Sequence, residues 1–238
     1  MSGVWLVLPT YNEVENLERI VHASLPQLGE TGLEHRILVV DDNSPDGTGD
    51  VAERLAGQIA AVDVLHRPRK AGLGPAYMAG FGIALDGGAE LVMEMDSDFS
   101  HDPADIPRLV EAAADTDLVL GSRYVSGGGV QDWGMGRRIV SRGGSLYAKT
   151  VLGCPVHDLT GGFKVFRRDV LTGLDLSGLD TNGYGFQIEM TYRALNAGFR
   201  VKEVPIIFRA RTAGKSKMVP SIALEALWKV PLLRWRVR

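Results

Sequence analysis

The chain has 238 residues, of which 45% are hydrophobic and 23% are charged, and its formal net charge is −3. This composition is typical of a globular protein, and the charge excludes a general electrostatic attraction to nucleic acid. The single cysteine, Cys154, excludes an internal disulfide. We find no apolar run of about 18 residues and no signal peptide, so we expect a cytoplasmic protein without a spanning helix.

Short apolar runs alternate with helical patterns through the first half of the chain. Continuous apolar runs are typical of parallel strands that are covered on both faces. The alternation therefore predicts an α/β fold, a Rossmann-type doubly wound and mostly parallel sheet flanked by helices. The predicted strands are 4–8, 36–40, 62–66, 90–95 and 117–121, and the predicted helices are 12–28, 48–58, 73–86 and 103–114.

The ends of two helices carry specific signals. Asn12, followed three residues later by Glu15, has the spacing of a capping box. Pro231 should end the last amphipathic helix, because proline lacks the backbone N–H that a helix interior needs. The later elements that we expect are helices at 137–153, 183–198 and 221–230, and strands within 158–171 and 200–211.

We expect one domain, 1–238, in which 1–121 binds the ligand, 122–218 forms a second half and 219–238 is a basic amphipathic end. Polar clusters follow the predicted strands, and in such sheets ligands bind outside the carboxyl ends of the strands. Asp41 and Asp42 follow the second strand and could bind a base or ribose, although "DDNSPDGT" is also rich in turn formers.

The run "MEMDSDFSHDP" places Glu94, Asp96, Asp98 and Asp102 within nine residues. Mg²⁺ and Mn²⁺ are often held by one or two carboxylates and the phosphates of a substrate. The run therefore predicts a metal and a diphosphate among these side chains. The alternative is helix capping and solvation, because Asp102 and Pro103 could also begin the next helix.

Other polar residues near the same edge can be interpreted either as ligand-binding residues or as purely structural ones. Tyr11 could stack on a base and Glu13 could bind it, or both could belong to a loop and a cap. Gly72 allows close backbone approach, and Lys70 could meet phosphate. For His101 and His157 we favour hydrogen-bonded loop or core histidines, and the five histidines show no zinc-like spacing with Cys154.

Two other sequence patterns for phosphate binding do not match this chain. A dinucleotide fingerprint would need glycine where Tyr77 stands, which disfavours a Rossmann oxidoreductase. The sequence "GKS" at 214–216 resembles the end of a phosphate loop, but the first glycine of that loop would fall on Arg209.

Eight segments in order resemble the inverting glycosyltransferase family 2, and within it the dolichol- or polyprenol-phosphate mannose synthases. They are "LPTYNEVENL", "VVDDNSPDGT", "GLGPAY", "MDSDFSHDP", "GSRYVSGGG", "RRIVSRG", "DLTGGFKVF" and "GYGFQIEM". The resemblance implies a GT-A fold and transfer of mannose from GDP-mannose to a membrane polyprenyl phosphate, with Mg²⁺ or Mn²⁺ as cofactor.

The resemblance also implies roles for individual residues. Pro9, Tyr11, Glu13 and Asp42 would bind the guanosine, and Asp96, Asp98 and Ser100 would hold the metal. Arg123, Arg137 and Ser141, with the adjacent Arg142, would bind the acceptor phosphate, and Arg123 would join Asp96 and Asp98 in the catalytic set. The full donor-side set that we expect is Pro9, Tyr11, Glu13, Asp41, Asp42, Lys70, Gly72, Asp96, Ser97, Asp98, Arg211 and Lys217.

Three other functions stay open. One is transfer of glucose or an aminosugar from a UDP donor to undecaprenyl phosphate, and another is nucleotide-sugar binding without catalysis. The oxidoreductase is the third, and it is disfavoured as described. The presence of both a carboxylate pair and a set of basic residues argues against a pure binding protein.

A lipid acceptor would require contact with the cytoplasmic face of the membrane. The segment from Arg200 to the end has ten Lys/Arg and two acids. Its apolar strip could lie on the bilayer, or it could pack on the core and leave only the last residues free. A separate membrane protein could also provide the contact. The residues concerned are Leu224, Leu227, Trp228, Lys229, Arg234, Trp235, Arg236 and Arg238.

Overall fold

The computed structural model describes residues 3–174, 176, 179, 184–210 and 220–237. The strands are β1 Gly3–Thr10, β2 Glu34–Asp41, β3 Val62–His66, β4 Ala89–Glu94, β5 Leu118–Ser122, β6 Gly129–Val130, β7 Lys164–Arg167, β8 Val201–Pro205 and β9 Ile207–Phe208. The helices are α1 Leu17–Glu30, α2 Thr48–Gln58, α3 Leu73–Asp86, α4 Ile106–Ala112, α5 Met135–Leu152, α6 Arg168–Gly173, α7 Tyr184–Asn196 and α8 Pro220–Arg236.

The main sheet has the order β3-β2-β1-β4-β7-β5-β8. Its pairings are parallel except at β7, which is antiparallel to both β4 and β5. The predicted α/β fold with a mostly parallel sheet is therefore confirmed. The sequence did not predict the insertion of β7, nor the small parallel pair that β6 and β9 form.

Helices cover both faces of this sheet, so each strand contributes to two hydrophobic cores. In β1, Leu6 and Leu8 belong to the core under α1, α2 and α4, whereas Val7 belongs to the core under α3, α5 and α7. This alternation follows from the period of two in a strand. Both faces are apolar, which explains the continuous apolar runs in the sequence.

The expected N-cap at Asn12 is wrong. Helix α1 begins at Leu17, with Asn16 in the N-cap position. Asn12 has a left-handed backbone with φ of 59°, whereas an N-cap residue is normally extended, and its N–H donates to Ser44 Oγ at 3.1 Å. The segment between β1 and α1 is therefore a loop at the edge of the sheet.

The expected helix end at Pro231 is also wrong, because α8 continues through this residue to Arg236. The neighbouring Val230 and Leu233 are buried, and α8 packs on α5 and α7. Arg234 Nη1 donates to the carbonyl of Val151 at 2.8 Å, which ties α8 to α5. These contacts offset the hydrogen bond that proline cannot make.

Across the described ranges, no helix is both long and apolar enough to span a bilayer.

Two glycines of α3 provide a matched test of how tightly this helix packs on the sheet. An added Cβ at Gly80 would lie 2.5 Å from Val7 Cγ1, whereas one at Gly82 would meet nothing within 4 Å. We expect Gly80→Ala to lower the free energy of unfolding by about 1–3 kcal/mol through overpacking. Gly82→Ala should raise it by about 0.5–1 kcal/mol, because alanine has the higher helix propensity. Urea unfolding followed by circular dichroism measures both, and equal effects would contradict the packing described.

Candidate active site

Polar segments that follow β1, β2 and β4 lie together at one edge of the sheet. Ser97 Oγ donates to the carbonyl of Pro9 at 3.2 Å, and the N–H of Asp42 donates to the carbonyl of Thr10 at 3.1 Å. These bonds join loops that are far apart in the sequence. The edge is the one at which parallel strands of an α/β sheet present their ligand-binding loops.

Asp96 and Asp98 follow β4 directly. Asp98 is buried, and its Oδ1 accepts the N–H of Ser100 at 2.9 Å, which fixes the loop. The Ser100 hydroxyl is buried without a hydrogen-bond partner. Two carboxylates and an unsatisfied hydroxyl are a donor set that fits Mg²⁺ or Mn²⁺. Among the described residues, no group of three or more His, Cys, Asp or Glu side chains is arranged to hold a metal ion.

Glu94 lies at the end of β4 and is fully buried beside Lys164 of β7, with 3.6 Å between Oε1 and Nζ. Burial raises the pKa of Glu94 to about 7, although the Lys164 ammonium opposes this rise. Burial also lowers the pKa of Lys164, and its Nζ donates to the carbonyl of Gln187 at 2.9 Å. Glu94 is therefore part of a buried ion pair with Lys164.

Asp102 has a different role. Its Oδ1 accepts the N–H of Ala104 at 3.1 Å and caps the 3₁₀ turn Pro103–Asp105. Its Oδ2 accepts from Arg209 Nη1 at 3.0 Å in an exposed ion pair. For Asp102 the capping alternative is confirmed.

Asp41 and Asp42 are both buried but have different partners. Asp41 accepts from the backbone N–H of Ser44 at 3.1 Å and from its hydroxyl at 2.5 Å, as the turn alternative predicted. Asp42 accepts from Arg67 Nη1 at 2.5 Å and from the N–H of Ala71 at 3.1 Å. Asp42 thus positions the loop between β3 and α3. Sequence reasoning missed Arg67, whose only signal was its place just after a strand.

The loop that Asp42 holds carries Lys70 and Gly72. Lys70 Nζ lies 3.8 Å from the ring centroid of Tyr11, a cation–π contact that joins two of the predicted donor-side residues. Gly72 has φ of 102° immediately before α3, a conformation that favours glycine. Glu13 is buried, and its Oε2 accepts from Asn16 Nδ2 at 3.0 Å.

Arg123 follows β5 and is 5% exposed. Its Nε and Nη2 donate to the two oxygens of Asp158 at 2.7 Å each, and Nη2 also donates to Thr160 Oγ1 at 2.7 Å. Burial alone would raise the pKa of Asp158, but the Arg123 guanidinium and its hydrogen bonds hold it below its usual value. The pair is therefore ionised at neutral pH. Sequence reasoning did not identify Asp158.

The other residues predicted to bind the acceptor phosphate lie on α5. The guanidinium carbon of Arg137 is 4.1 Å from the ring centroid of Trp133, and that of Arg123 is 5.9 Å from the same centroid. The hydroxyl of Ser141 accepts from Tyr124 Oη at 2.7 Å. The structure thus brings Arg123, Arg137 and Ser141 to one place around aromatic rings.

The remaining predicted residues divide as follows. Arg142 is exposed on α5. Arg211 and Lys217 lie outside the described residues. His101 is buried between the rings of Phe163 and Phe208, at 5.1 Å from each centroid, as expected for a core histidine.

Comparisons with known proteins identify the family. Residues 5–174 match the sequence profile of Glycosyl transferase family 2. The chain is 47% identical over 238 residues to the polyprenol monophosphomannose synthase of Mycolicibacterium smegmatis, covering 98% of this chain and 86% of that protein. It is 45% identical over 232 residues to the undecaprenyl-phosphate mannosyltransferase of Micrococcus luteus, covering 98% of this chain and 93% of that protein.

Solved structures with the same fold include glucosyl-3-phosphoglycerate synthase from Mycobacterium tuberculosis. Its complex with phosphoglyceric acid has a TM-score of 0.73, at 21% identity, and covers 100% of this chain and 81% of that one. Its complex with Mg²⁺ and UDP has a TM-score of 0.72, at 19% identity, and covers 100% of this chain and 80% of that one. The same enzyme has also been solved with Mn²⁺ and UDP-glucose. At this identity, the likeness establishes the fold.

Proposed function

The chain belongs to glycosyltransferase family 2, and we propose that it transfers mannose from GDP-mannose to the phosphate of a membrane polyprenyl phosphate. The observation that carries this proposal is the identity of 47% and 45%, over almost the whole chain, to two enzymes whose names specify mannose and a polyprenyl acceptor. The proposal is also supported by the presence of both buried carboxylates and arginines at one edge of the sheet.

A polyprenyl phosphate is a monoester with a second pKa of about 6, so it is largely dianionic near neutrality. An ionised oxygen of this phosphate is already nucleophilic and needs no strong base to activate it. The enzyme has to bind this dianion close to the sugar and to stabilise the negative charge that develops on the departing diphosphate. Arg137 and Ser141 are our candidates for the first task, with Arg142 at the rim.

We propose that Arg123 acts from a fixed position. Its bidentate pair with Asp158 holds the guanidinium rigidly beside the aromatic rings, so that its charge faces the acceptor at no cost in side-chain ordering. Asp158 is then a positioning residue, which acts on the reaction through Arg123.

For the donor, we propose that Pro9, Tyr11, Glu13 and Asp42 surround the base and ribose. The cation–π contact with Lys70 orients the ring of Tyr11 at the mouth of this region. Asp41, Ser97 and Gly72 shape the surrounding loops. Arg211 and Lys217 are proposed to reach the donor phosphates.

We propose that Asp96, Asp98 and Ser100 bind Mg²⁺ or Mn²⁺ together with the donor diphosphate. The buried, unsatisfied hydroxyl of Ser100 beside Asp98 is the observation that favours this assignment. When bound, a divalent cation supplies positive charge that stabilises the leaving diphosphate. Asp96 and Asp98 place two carboxyl groups directly after β4, where they would bind that cation.

We further propose that the protein works on the cytoplasmic face of the membrane, in peripheral contact with it. Helices α5 and α8 pack together and carry exposed apolar side chains, with basic side chains next to them. Tryptophan suits the membrane interface, and each nearby cation adds about 1 kcal/mol on anionic lipid. The exposed apolar residues are Met135, Ile139, Val140, Leu146, Trp228, Leu232 and Trp235.

A panel of donors and acceptors tests the reaction directly. With a short-chain polyprenyl phosphate, we expect the rate of mannose transfer from GDP-mannose to be at least about tenfold above the rate of transfer from UDP-glucose or an aminosugar donor. The reason is that guanosine and mannose would make contacts with the enzyme, in the bound state and in the transition state, that the other donors lack. Product formation is measured by mass spectrometry. Faster transfer from a UDP-sugar would show that GDP-mannose is not the preferred donor. Binding of donors without transfer to any acceptor would show that the protein binds nucleotide sugars without catalysis.

Asp98→Asn tests the metal assignment, with Asp102→Asn as the matched control from the same acidic run. Loss of one ligand charge at Asp98 should lower the turnover number by about 100-fold and weaken Mn²⁺ binding. Asp102→Asn should keep most of the activity, because Asp102 caps a turn and pairs with Arg209. Mn²⁺ affinity is measured by calorimetry in the presence of GDP. Full activity of Asp98→Asn in excess chelator would overturn the assignment.

Substitution of exposed tryptophans tests the membrane contact better than truncation, because removal of α8 would also remove the buried Val230 and Leu233. We expect Trp228→Ser/Trp235→Ser to lower binding to anionic liposomes severalfold. Activity on a long-chain acceptor should fall more than activity on a short soluble one. Val14→Ser, at an exposed site on the loop before α1, is the control. Unchanged liposome sedimentation of the double variant would place the contact elsewhere or on a membrane partner.

A further inference from the structure

We propose that Trp133 is an additional ligand of the acceptor phosphate, to which it donates its indole N–H beside Arg137. This inference rests on the proposed function, in which a phosphate monoester is the acceptor. It adds a neutral donor to a set of residues that sequence reasoning had limited to arginines and a serine.

The first observation is the burial of Trp133. It lies in the segment between β6 and α5, where its neighbours Asp132 and Gly134 are exposed, yet only 7% of its own surface is exposed. Its ring meets the ring of Phe208 edge to face, with 5.3 Å between the centroids. The side chain is therefore fixed among the residues of the acceptor side.

The second observation concerns hydrogen bonding. Trp133 Nε1 and Arg137 Nε are both buried, and neither has a hydrogen-bond partner. The guanidinium carbon of Arg137 lies 4.1 Å from the Trp133 ring centroid, so the two unsatisfied N–H groups belong to side chains in direct contact. Buried N–H groups without acceptors are rare and costly, and two in contact indicate a ligand that supplies acceptors.

The third observation identifies the chemistry of that ligand. Both groups donate, both lack an acceptor, and the guanidinium of Arg137 adds a full positive charge. The hydroxyl of Ser141, one turn further along α5, accepts from Tyr124 Oη and keeps its own hydrogen for donation. Donors and a cation with no acceptor match the oxygens of a phosphate dianion, which only accept hydrogen bonds.

The indole would contribute something that a third arginine could not. Its ring offers a cation–π surface to Arg137, and the Arg123 guanidinium carbon lies 5.9 Å from the same centroid, so the ring stabilises two neighbouring cations. Its edge supplies a hydrogen-bond donor in a fixed direction. The three side chains then form one rigid anion site.

Kinetics on two variants test this role. Trp133→Phe keeps an aromatic face for Arg137 but has no N–H, and incorporation of β-(3-benzothienyl)alanine at 133 replaces the N–H with sulfur at almost the same shape. Because a hydrogen bond to a charged group is lost, we expect both variants to raise KM for a short-chain polyprenyl phosphate by about tenfold or more. KM for the sugar donor should change less than about twofold, since the substitutions leave the donor side intact.

Trp5→Phe is the matched control, because Trp5 also stacks with an arginine, Arg36, at 5.6 Å but lies in β1 away from the acceptor residues. Melting temperatures of the Trp5 and Trp133 variants separate a folding defect from a binding defect. Equal increases of KM for donor and acceptor, or no increase for the acceptor, would show that Trp133 only packs the loop.

A binding measurement does not depend on turnover. The chain has four tryptophans, so Trp5→Phe/Trp228→Phe/Trp235→Phe leaves Trp133 as the only indole fluorophore. Short-chain polyprenyl phosphate should change its emission saturably, and inorganic phosphate should do so only at higher concentration if the lipid part contributes to binding. Equal affinities would identify the phosphate alone as the ligand. No change with either would overturn the inference, whatever sugar the enzyme transfers.

Discussion

The buried ion pair between Arg123 and Asp158 is the interaction on which the proposed acceptor side of the site depends. It joins the end of β5 to the segment that leads into β7. Two charges in the interior are tolerated only when the geometry and the remaining hydrogen bonds are good, and here both oxygens of Asp158 are used. The N–H of Asp158 in turn donates to Glu203 of β8 at 2.9 Å, so three neighbouring strands are fixed relative to one another.

The proposed donor side has a corresponding arrangement one strand away. Glu94 and Lys164 face each other across the antiparallel pair of β4 and β7, with both side chains buried. Strand β7, which carries Lys164, follows the segment with Asp158. It lies between β4, which the two aspartates follow, and β5, which Arg123 follows. The two proposed halves of the site are held on either side of this short strand.

The fold was largely predictable because its signals are local. The apolar runs marked β1 to β5, and the positions of those runs were enough to predict that Asp42, Asp96 and Asp98 lie at one edge of the sheet. What the sequence did not show were the partners of these residues. Arg67 is 25 residues from Asp42 and Asp158 is 35 residues from Arg123, and nothing in either segment marks the pairing. The predicted helix start at Asn12 and the predicted helix end at Pro231 were wrong because loop geometry and packing outweighed local propensity. Trp133 stood out only as part of a glycine-rich loop, since its burial beside two arginines exists only in the folded chain.

The place of β7 in the sheet has a consequence for the order in which the chain acquires its structure during synthesis. Strands β1 to β4 are neighbours in space in the order β3-β2-β1-β4, so they can pair as soon as residue 94 has left the ribosome. Strand β5 pairs only with β7 and β8 in the described sheet, and β7 begins more than forty residues later, at Lys164. Until then, its apolar side chains have no strand beside them. A nascent chain of this topology therefore contains a half-sheet whose β4 edge still lacks its partner, together with an unpaired apolar strand. Such an intermediate depends on chaperones or on rapid elongation to avoid association with other chains.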